Sequence, residues 1–303
     1  MPSLPAWIAV DWGTSNLRCW AMSADDQVLG EAQSDRGMAS LLPEEFETAL
    51  LDCIAPWLGD GPPVRVIACG MVGARQGWRE APYSIAPCPP HSARARIEVA
   101  CRDRRVAMCI VGGVAQHTPC DVMRGEETQI AGLLADLPEF DGVACLPGTH
   151  CKWVRIAEGQ IRHFHTFMTG ELFNLLATRS VLRFSVTSEA WDEAAFLAAV
   201  AEAAARPETV PGLLFPLRAA SLLGDVAPST ARARLSGLLI GGELAAARDL
   251  WQATPVVMIG ADRLARAYCA AAAALGGNVT LRDSTALTLA GLARARALAA
   301  DPS

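Results

Sequence analysis

The sequence predicts an α/β protein of two domains, each with a mixed sheet opened by a three-stranded antiparallel meander. Three observations carry this prediction. Short apolar strands joined by tight turns occur twice, in the same order; helical patterns alternate with buried strands between and after them; and 303 residues exceed what one small core usually organises.

The first meander is predicted at residues 6–12, 16–22 and 27–33. Asp11 stands near the end of its first strand, and Gly13, Thr14, Ser15 and Asn16 form the turn that follows. Small polar residues leave backbone N–H groups and hydroxyls available to an anion. A carboxylate beside them suits Mg²⁺ held near phosphates, often through water. An ordinary hairpin with a capping aspartate is the alternative.

The second meander is predicted at residues 143–168, where Gly148-Thr149 forms the first turn. A basic residue follows each turn, Arg18 in the first copy and Lys152 in the second. Lys152 is the single lysine among 26 basic residues, and a compact ammonium approaches phosphate oxygens as a point charge. The repeat predicts a cleft that binds a polyphosphate from both sides. Two unrelated hairpins and a surface lysine are the alternative.

The other elements are assigned from periodicity and from the positions of glycine and proline. Before the second meander we expect a helix at 43–58, strands at 64–68 and 106–111, and a helix ending near 137, with the loops "CGMVGARQGWREAPY" and "DVMRGEETQ" between them. After it we expect a helix near Glu171, and then helices in "DEAAFLAAVAEAAA" and "TARARLSGLLIGGELAAARDLW" separated by a Pro- and Gly-containing stretch at 207–216. The segment "PVVMIGADRLARAYCAAAAALG" predicts a strand, a glycine turn and a helix. A strand at 279–281 and a closing helix at 284–298 are expected last.

Two adjacent carboxylates, Glu126 and Glu127, stand at the predicted start of a helix. A helix N-terminus favours carboxylates, so capping alone could account for them. The functional interpretation makes one of them the base that orients a hydroxyl during attack on phosphorus. Neighbours on a helix differ by about 100°, so periodicity leaves the choice between them open.

The glycine-rich loop and the segment "FMTGELF" are the predicted substrate contacts. Arginines can bind an acid group, and aromatic rings can pack on a sugar face. A structural loop and helix capping are the alternatives. The residues proposed to bind substrate are Arg75, Trp78, Arg79, Tyr83, Arg124, Thr169 and Glu171.

Composition excludes several classes of protein. A net charge of −6 argues against a nucleic-acid-binding protein. No run of about 20 apolar residues and no signal-peptide pattern occurs, so we expect a cytoplasmic protein without membrane association. The ten cysteines are scattered without a C-x-x-C pair, which favours reduced thiols.

Several motifs together resemble one known family. "AVDWGTSNLRCW", "GMVGARQGWREAPY", "VMRGEETQIAG", "LPGTHCKW", "FMTGEL" and "LSGLLIGGE" occur in order over residues 7–295. They are similar to 2-dehydro-3-deoxygalactonokinases, sugar-acid kinases of the actin, hexokinase and Hsp70 ATPase superfamily. The resemblance implies two actin-like (ribonuclease H-like) domains flanking a cleft, at residues 1–115 and 116–303, with the last helix packing back toward the first.

The resemblance also implies a reaction. ATP, with Mg²⁺, would phosphorylate the 6-hydroxyl of 2-dehydro-3-deoxy-D-galactonate in galactonate catabolism. Glu127 would be the base by analogy with related exopolyphosphatases, with Glu126 as the alternative, and Lys152 would assist. The residues expected to bind ATP are Asp11, Gly13, Thr14, Ser15, Asn16, Gly148, Thr149, His150, Lys152, Gly260 and Ala261, with Asp11 holding Mg²⁺ through water.

Three other functions stay open from the sequence: a kinase for the gluconate-derived epimer, a phosphohydrolase of the same fold, and an ATP- and sugar-acid-binding sensor without catalysis. The expected partner is a small sugar acid, and the chain could be a monomer or a homodimer. The sequence also departs from the superfamily pattern. Leu146-Pro147 stands where an aspartate is usual, Gly260-Ala261 where paired glycines are usual, and Ala74 where we expect a serine.

Overall fold

A computed structural model describes residues 4–300 of the chain. The strands are β1 (Trp7–Trp12), β2 (Leu17–Met22), β3 (Val28–Ser34), β4 (Val64–Gly70), β5 (Tyr83–Ile85), β6 (Arg96–Val99), β7 (Val106–Val111), β8 (Gly113–His117), β9 (Cys120–Met123), β10 (Gly142–Leu146), β11 (Cys151–Ala157), β12 (Gln160–Phe167), β13 (Val256–Ile259) and β14 (Val279–Arg282). The helices are α1 (Phe46–Ile54), α2 (Glu126–Asp136), α3 (Thr169–Arg179), α4 (Glu193–Ala205), α5 (Val210–Leu223), α6 (Pro228–Ala246), α7 (Arg248–Trp251), α8 (Arg263–Ala274) and α9 (Ser284–Ala300).

Two sheets share one strand arrangement. The first has the order β3-β2-β1-β4-β7-β6 and the second has the order β12-β11-β10-β13-β14. In each sheet the opening strand pairs antiparallel with its meander partner and parallel with a later strand, as β1 does with β2 and β4, and β10 with β11 and β13. The predicted fold class, an α/β protein whose mixed sheets each open on a meander, is therefore confirmed.

The chain divides into two compact units. The first contains the residues up to Phe140, Ala157–His163 and the segment from Ser284 onward, and the second contains Asp141–Ile156 and Phe164–Asp283. The sequence instead predicted a boundary after residue 115. The two divisions differ because α2 packs against α9 inside the first unit. The two domains at 1–115 and 116–303 stay a prediction.

Alternating apolar residues build the core of the first unit on both faces of its sheet. Ile8, Val10 and Trp12 of β1 pack with α1 on one face. Trp7 and Ala9 point the other way, because side chains alternate along a strand, and they pack with Leu292 and Ala295 of α9. The closing helix thus belongs to the core of the first unit.

The core of the second unit lies between its sheet and three helices. Buried residues of β10, β11 and β13 pack there with α4, α6 and α8. Aspartates start two of these helices, since Asp192 accepts a hydrogen bond from the Ala195 N–H and Asp262 accepts one from the Ala265 N–H, both at 3.0 Å. Such caps satisfy N–H groups that a helix leaves unpaired.

Two sequence-based expectations about local structure were wrong. The stretch around Pro207–Pro216 is largely helical, because α5 includes Pro216 and buries Leu217 in a cluster shared with α6. Tertiary packing there outweighs the hydrogen bond that proline cannot make. The segments expected as loops also overlap β5, which begins at the last residue of the first segment, and β9, and both strands join β8 in a three-stranded sheet. No helix within residues 4–300 has the length and apolar character to cross a membrane.

Candidate active site

The first predicted phosphate turn is a tight hairpin held by the segment after β3. The Gly13 N–H donates to the Asn16 carbonyl at 2.8 Å, and the Met38 and Ala39 N–H groups donate to the Gly13 and Thr14 carbonyls. Thr14, Ser15 and Asn16 are exposed. The carbonyls of Gly13, Thr14 and Asn16 therefore have partners, while the hydroxyl and amide side chains of the turn are exposed and suit an anion.

Asp11 lies on β1 just before this turn. Its Oδ2 accepts a hydrogen bond from the Arg18 guanidinium on β2, which faces it directly in the antiparallel register. Its Oδ1 lies 4.0 Å from the Cys69 Sγ at the end of β4. The carboxylate is only partly exposed, so Arg18 offsets its charge where water does so incompletely.

Among the carboxyl groups near the first turn, Glu127 has the most strongly shifted pKa. It is fully buried at the start of α2, where its Oε2 accepts the Gly125 N–H at 2.7 Å and its Oε1 accepts the Thr128 hydroxyl at 3.1 Å. Burial and the adjacent Glu126 carboxylate raise the pKa of Glu127 from 4.5 to about 7. A carboxyl group with a pKa near neutrality suits a general base.

Glu126 and Glu127 fold back onto the turn that starts α2. Gly125 has a φ of +109°, which L side chains rarely adopt, and this bend brings each carboxylate back to an N–H group two residues before it. Glu126 Oε2 accepts the Arg124 N–H at 3.0 Å in the same way that Glu127 accepts the Gly125 N–H. Both glutamates therefore bind N–H groups of the turn that leads into α2, and Glu127 is the more buried of the two.

Arg124 and Tyr83 come together as a second predicted group. The Arg124 guanidinium stacks on the Tyr83 ring, with 4.3 Å between its Cζ and the ring centroid, and one Nη donates to the Ala81 carbonyl at 2.8 Å. Its Nε and its other Nη are buried and have no hydrogen-bond partner among the described residues. A guanidinium with unused donors is suited to a carboxylate ligand.

The other residues of the glycine-rich loop lie in different surroundings. Trp78 packs edge-on against Trp12 in the core of the first unit, with 6.4 Å between ring centroids. Arg75 is 82% exposed and forms a loose ion pair with Glu80 at 3.8 Å. Arg79 is exposed as well. The structure thus groups Tyr83 with Arg124 and leaves both loop arginines on the surface.

The second predicted phosphate turn is braced like the first. The Glu171 N–H donates to the Thr149 carbonyl at 2.9 Å, and His150 Nε2 lies 2.6 Å from Glu171 Oε2. A Cβ on Gly170 would stand 2.2 Å from the Gly148 carbonyl oxygen, so only glycine allows the start of α3 to come this close. The turn residues, Thr169 and Glu171 therefore form one group in the second unit.

Lys152 lies on β11 at the foot of this turn, opposite Leu146 on β10. Its side chain is only 5% exposed. A buried ammonium is costly unless it is paired, so the single lysine of the chain is not an ordinary surface lysine.

A cavity of about 570 Å³ opens beside the second turn within the second unit. Its wall includes the turn, the start of α3, and residues of α6 and α8. Arg263 stacks on Trp191 at its edge, with 4.6 Å between the Cζ and the ring centroid. This volume is within the range usual for small-molecule sites.

The predicted adenosine segment ends next to this cavity. Gly260 follows β13, and its N–H donates to the Arg282 carbonyl at 3.0 Å. Ala261 is exposed, and the lining begins with the next residues, Asp262 and Arg263.

Sequence reasoning missed several residues of these groups: Cys69, His91, Thr128, Trp191, Asp262 and Arg263. Asp262 and Arg263 follow Gly260-Ala261 directly, so the strand and glycine turn were an available signal for them. His91 and Thr128 are 37 residues apart in the chain, and no local pattern connects them.

Comparisons with known proteins agree with one another. A model of the 2-keto-3-deoxy-galactonokinase family matches residues 11–295. A protein of Rhizobium meliloti (strain 1021) named a probable 2-dehydro-3-deoxygalactonokinase is 39% identical over 300 residues, which is 96% of this chain and 97% of that protein. The 2-dehydro-3-deoxygalactonokinase of Escherichia coli (strain K12) is 34% identical over 277 residues, which is 90% of this chain and 91% of that protein.

Solved structures give the same picture. A crystal structure of a Sinorhizobium meliloti protein, described as a candidate 2-dehydro-3-deoxygalactonokinase, superposes with a TM-score of 0.89 at 38% identity and covers 98% of this chain and all of that one. A xylulose kinase of Lactobacillus acidophilus, 11% identical, has a TM-score of 0.50 over 98% of this chain and 90% of its own, and it shares the fold alone. From the motifs, the fold and these matches, the chain belongs to the 2-keto-3-deoxy-galactonokinase family.

Proposed function

We propose that this protein transfers the γ-phosphoryl group of ATP to the 6-hydroxyl of 2-dehydro-3-deoxy-D-galactonate, giving the 6-phosphate and ADP, in galactonate catabolism. The observation that carries the proposal is Glu127, a buried carboxyl group with a pKa of about 7 at the start of α2. Membership of the family and the names of two relatives that align over most of their length support this choice of substrate.

The nucleotide is assigned to the two turns and the cavity beside the second. Asp11, Gly13, Thr14, Ser15 and Asn16 would meet the phosphates in the first unit, and Gly148, Thr149, His150 and Lys152 would do so in the second. Gly260 and Ala261 would contact adenosine, since the cavity begins at the residues that follow them. Phosphoryl transfer depends mainly on positioning and charge neutralisation, which N–H groups, hydroxyls and one ammonium can supply.

The residues present fit a Mg²⁺ ion carried largely by the nucleotide. Mg²⁺ usually keeps several waters and takes one or two carboxylates besides the substrate phosphates. Asp11 offers one partly exposed carboxylate, and no group of three or more acidic, histidine or cysteine side chains within residues 4–300 forms a metal cage. When bound, the ion would neutralise charge on the phosphates, and Asp11 would hold it through water.

Glu127 is the proposed base that orients the acceptor hydroxyl and takes its proton. A group with a pKa near the working pH combines a usable ionised fraction with sufficient basicity. The carboxylate has no exposed surface in this conformation, so the proposal requires that substrate binding opens a path to it. Glu126, which is half-buried, is the alternative.

The substrate carboxylate is assigned to Arg124. Two of its nitrogen atoms are buried without a hydrogen-bond partner among the described residues, and Tyr83 fixes the plane of its guanidinium. Leaving such donors unpaired costs free energy that an anionic ligand would recover. Thr169 and Glu171 are proposed to contact substrate from the start of α3. The exposed Arg75 and Arg79 and the core-packed Trp78 are the other proposed substrate contacts.

The proposal is tested by measuring ADP release from Mg-ATP without sugar, with 2-dehydro-3-deoxygalactonate, and with its gluconate epimer. We expect release that depends on the galactonate-derived acid. Preference for the gluconate epimer would change the assigned substrate. Equal release in all three reactions would indicate a phosphohydrolase, and ATP binding without product would indicate a sensor.

The base is identified by comparing Glu127→Gln with Glu126→Gln. We expect E127Q to lose at least 100-fold in kcat with a native circular-dichroism spectrum, within the usual range for a general base. Because the Glu126 charge raises the pKa of Glu127, E126Q should stay active and move the acid limb of its pH profile to lower pH. An inactive E126Q beside an active E127Q would assign the base to Glu126.

The protein is also proposed to act in the cytoplasm on a small sugar acid, as a monomer or a homodimer. Its net charge of −6 supports the absence of nucleic-acid binding.

A further inference from the structure

His91 and Thr128 form a buried hydrogen-bonded chain that ends on Glu127. The Thr128 Oγ1 lies 3.1 Å from Glu127 Oε1 and 3.2 Å from His91 Nε2. All three side chains are at least nine-tenths buried, and His91 is 7% exposed. His91 lies in a loop before β6, so the chain connects that loop to the first turn of α2.

We propose that His91 is a positioning residue for the base: its Nε2–H donates to the Thr128 hydroxyl, which directs the Thr128 hydrogen onto the Glu127 carboxylate. This inference rests on the proposed role of Glu127. It goes beyond that role by assigning a donor order and a histidine tautomer to His91 and Thr128, which are not among the residues proposed to bind ATP or substrate.

The first argument for this order comes from the carboxylate. An ionised Glu127 can only accept hydrogen bonds, so the Thr128 hydroxyl must donate to it. The hydroxyl has one hydrogen, which Glu127 takes, so the hydroxyl oxygen is the acceptor in the contact with His91 Nε2 and the imidazole is the donor. A His91 that carried its hydrogen on Nδ1 would instead compete with Glu127 for the Thr128 hydrogen.

The second argument comes from the other nitrogen of the ring. His91 Nδ1 is buried and has no hydrogen-bond partner among the described residues. Orphaned N–H donors are rarer in native proteins than under-satisfied acceptors, so Nδ1 is assigned as the bare nitrogen and Nε2 carries the hydrogen. Burial, with Arg294 nearby, lowers the pKa of His91 to about 4, so the ring is neutral at neutral pH.

Other charged and titratable groups lie near this chain. Glu126 adjoins Glu127 on α2, and Arg294 of α9 faces His91. The Cys69 thiol of β4 is hydrogen-bonded to Thr128. The charge of Asp11 raises the pKa of the same thiol, and the charge of Arg18 lowers it. The Thr128 hydroxyl acts on Glu127 through a direct hydrogen bond to its ionised form. The effect of removing this hydrogen bond can therefore be separated from the longer-range effects of the neighbouring charges.

The tautomer is tested directly on the wild-type protein, without any activity. A two-bond ¹H–¹⁵N spectrum of the protein labelled at histidine identifies which ring nitrogen of His91 carries hydrogen. We expect Nε2–H at pH 7 to 8. A hydrogen on Nδ1 would overturn the proposal, whatever the fate of the kinase assignment.

The effect on the base is tested with Thr128→Val and Thr128→Ser. A hydrogen bond to a charged group corresponds to a pKa change of about one. We therefore expect T128V to raise the Glu127 pKa by about one in ¹³C-carboxyl titration of the free protein, and to lower kcat/KM about tenfold at pH 6 and little at pH 9. T128S, which keeps the hydroxyl, should match the wild type.

His91→Phe and His91→Gln repeat the test from the other end. The Gln amide nitrogen can replace Nε2–H, so H91Q should keep the wild-type profile while H91F shifts it in the same direction as T128V. If T128V and H91F keep the wild-type pH profile of kcat/KM while E127Q is inactive, the positioning role of His91 is overturned and the role of Glu127 as base is not. A wild type without sugar-dependent ADP release would instead reject the proposed function, and the tautomer and carboxyl titrations would still decide this inference.

Discussion

Glu127 places a carboxyl group where ionisation is unfavourable. Its pKa rises from 4.5 to about 7 because burial penalises the charged form and Glu126 repels it, while the Gly125 N–H and Thr128 hydroxyl only partly compensate. A buried carboxylate without these two hydrogen bonds would have a still higher pKa. The residue is therefore held at a pKa where it can exchange a proton near neutral pH, and this has a consequence for stability as well as for activity.

That consequence is a pH-dependent cost of folding. The pKa of Glu127 is higher in the folded state than in the unfolded state. The stability that its protonated form contributes is therefore fully present below about pH 4.5 and is lost as pH rises through about 7. The shift corresponds to a cost of about 3 kcal/mol above pH 7. We expect E127Q to gain stability relative to the wild type between pH 5 and pH 8, measured by urea denaturation. An E127Q effect that does not change with pH would contradict this, and E126Q provides the control.

At the scale of elements, the two predicted phosphate turns are braced by equivalent glycines. Gly37 lies three residues after β3 ends at Ser34, and Gly170 lies three residues after β12 ends at Phe167. A Cβ on Gly37 would stand 2.2 Å from the Ser15 backbone carbon, and one on Gly170 would stand 2.2 Å from the Gly148 carbonyl oxygen. Each meander thus returns to support its own first turn.

Substituting these glycines should damage the turns specifically. We expect Gly37→Ala and Gly170→Ala each to raise the KM for ATP at least tenfold and to lower the melting temperature, because backbone atoms must move. Gly61→Ala and Gly212→Ala are matched controls, since a Cβ there meets nothing within 4 Å. Initial-rate kinetics and a thermal shift assay measure both effects. If G170A binds nucleotide as the wild type does, the second predicted phosphate turn is not part of the nucleotide site.

The meanders could be predicted from sequence because their signals are local. Alternating apolar residues and Gly-Thr turns mark β1, β2, β10 and β11, which the structure contains. Short strands that pair across long separations carry no such signal. The contact of His91 with Thr128 and the α5 helix through Pro216 both depend on tertiary packing, which the residue pattern does not contain.

For the whole chain, the C-terminal helix and the candidate base meet in one unit. A Cβ on Gly291 of α9 would stand 1.9 Å from the Thr128 carbonyl oxygen, and one on Gly132 of α2 would stand 2.0 Å from the Leu287 carbonyl oxygen. The two helices therefore pack backbone to backbone, and the position of Glu127 depends on a helix from the far end of the sequence.

This close packing predicts that a substitution in α9 disables the candidate site at the start of α2. We expect Gly291→Leu to lower the melting temperature of the protein and to reduce kcat at least tenfold, because overpacking a tight contact forces the backbone apart. Ala297→Leu, an exposed position on the same helix, should leave both unchanged, which separates the contact from a general effect on α9. Thermal denaturation and sugar-dependent ADP release measure the two variants. Wild-type stability and turnover in G291L would mean that α2 does not depend on α9 for the position of its first turn, and the candidate base would then be held by its hydrogen bonds from the Gly125 N–H and the Thr128 hydroxyl.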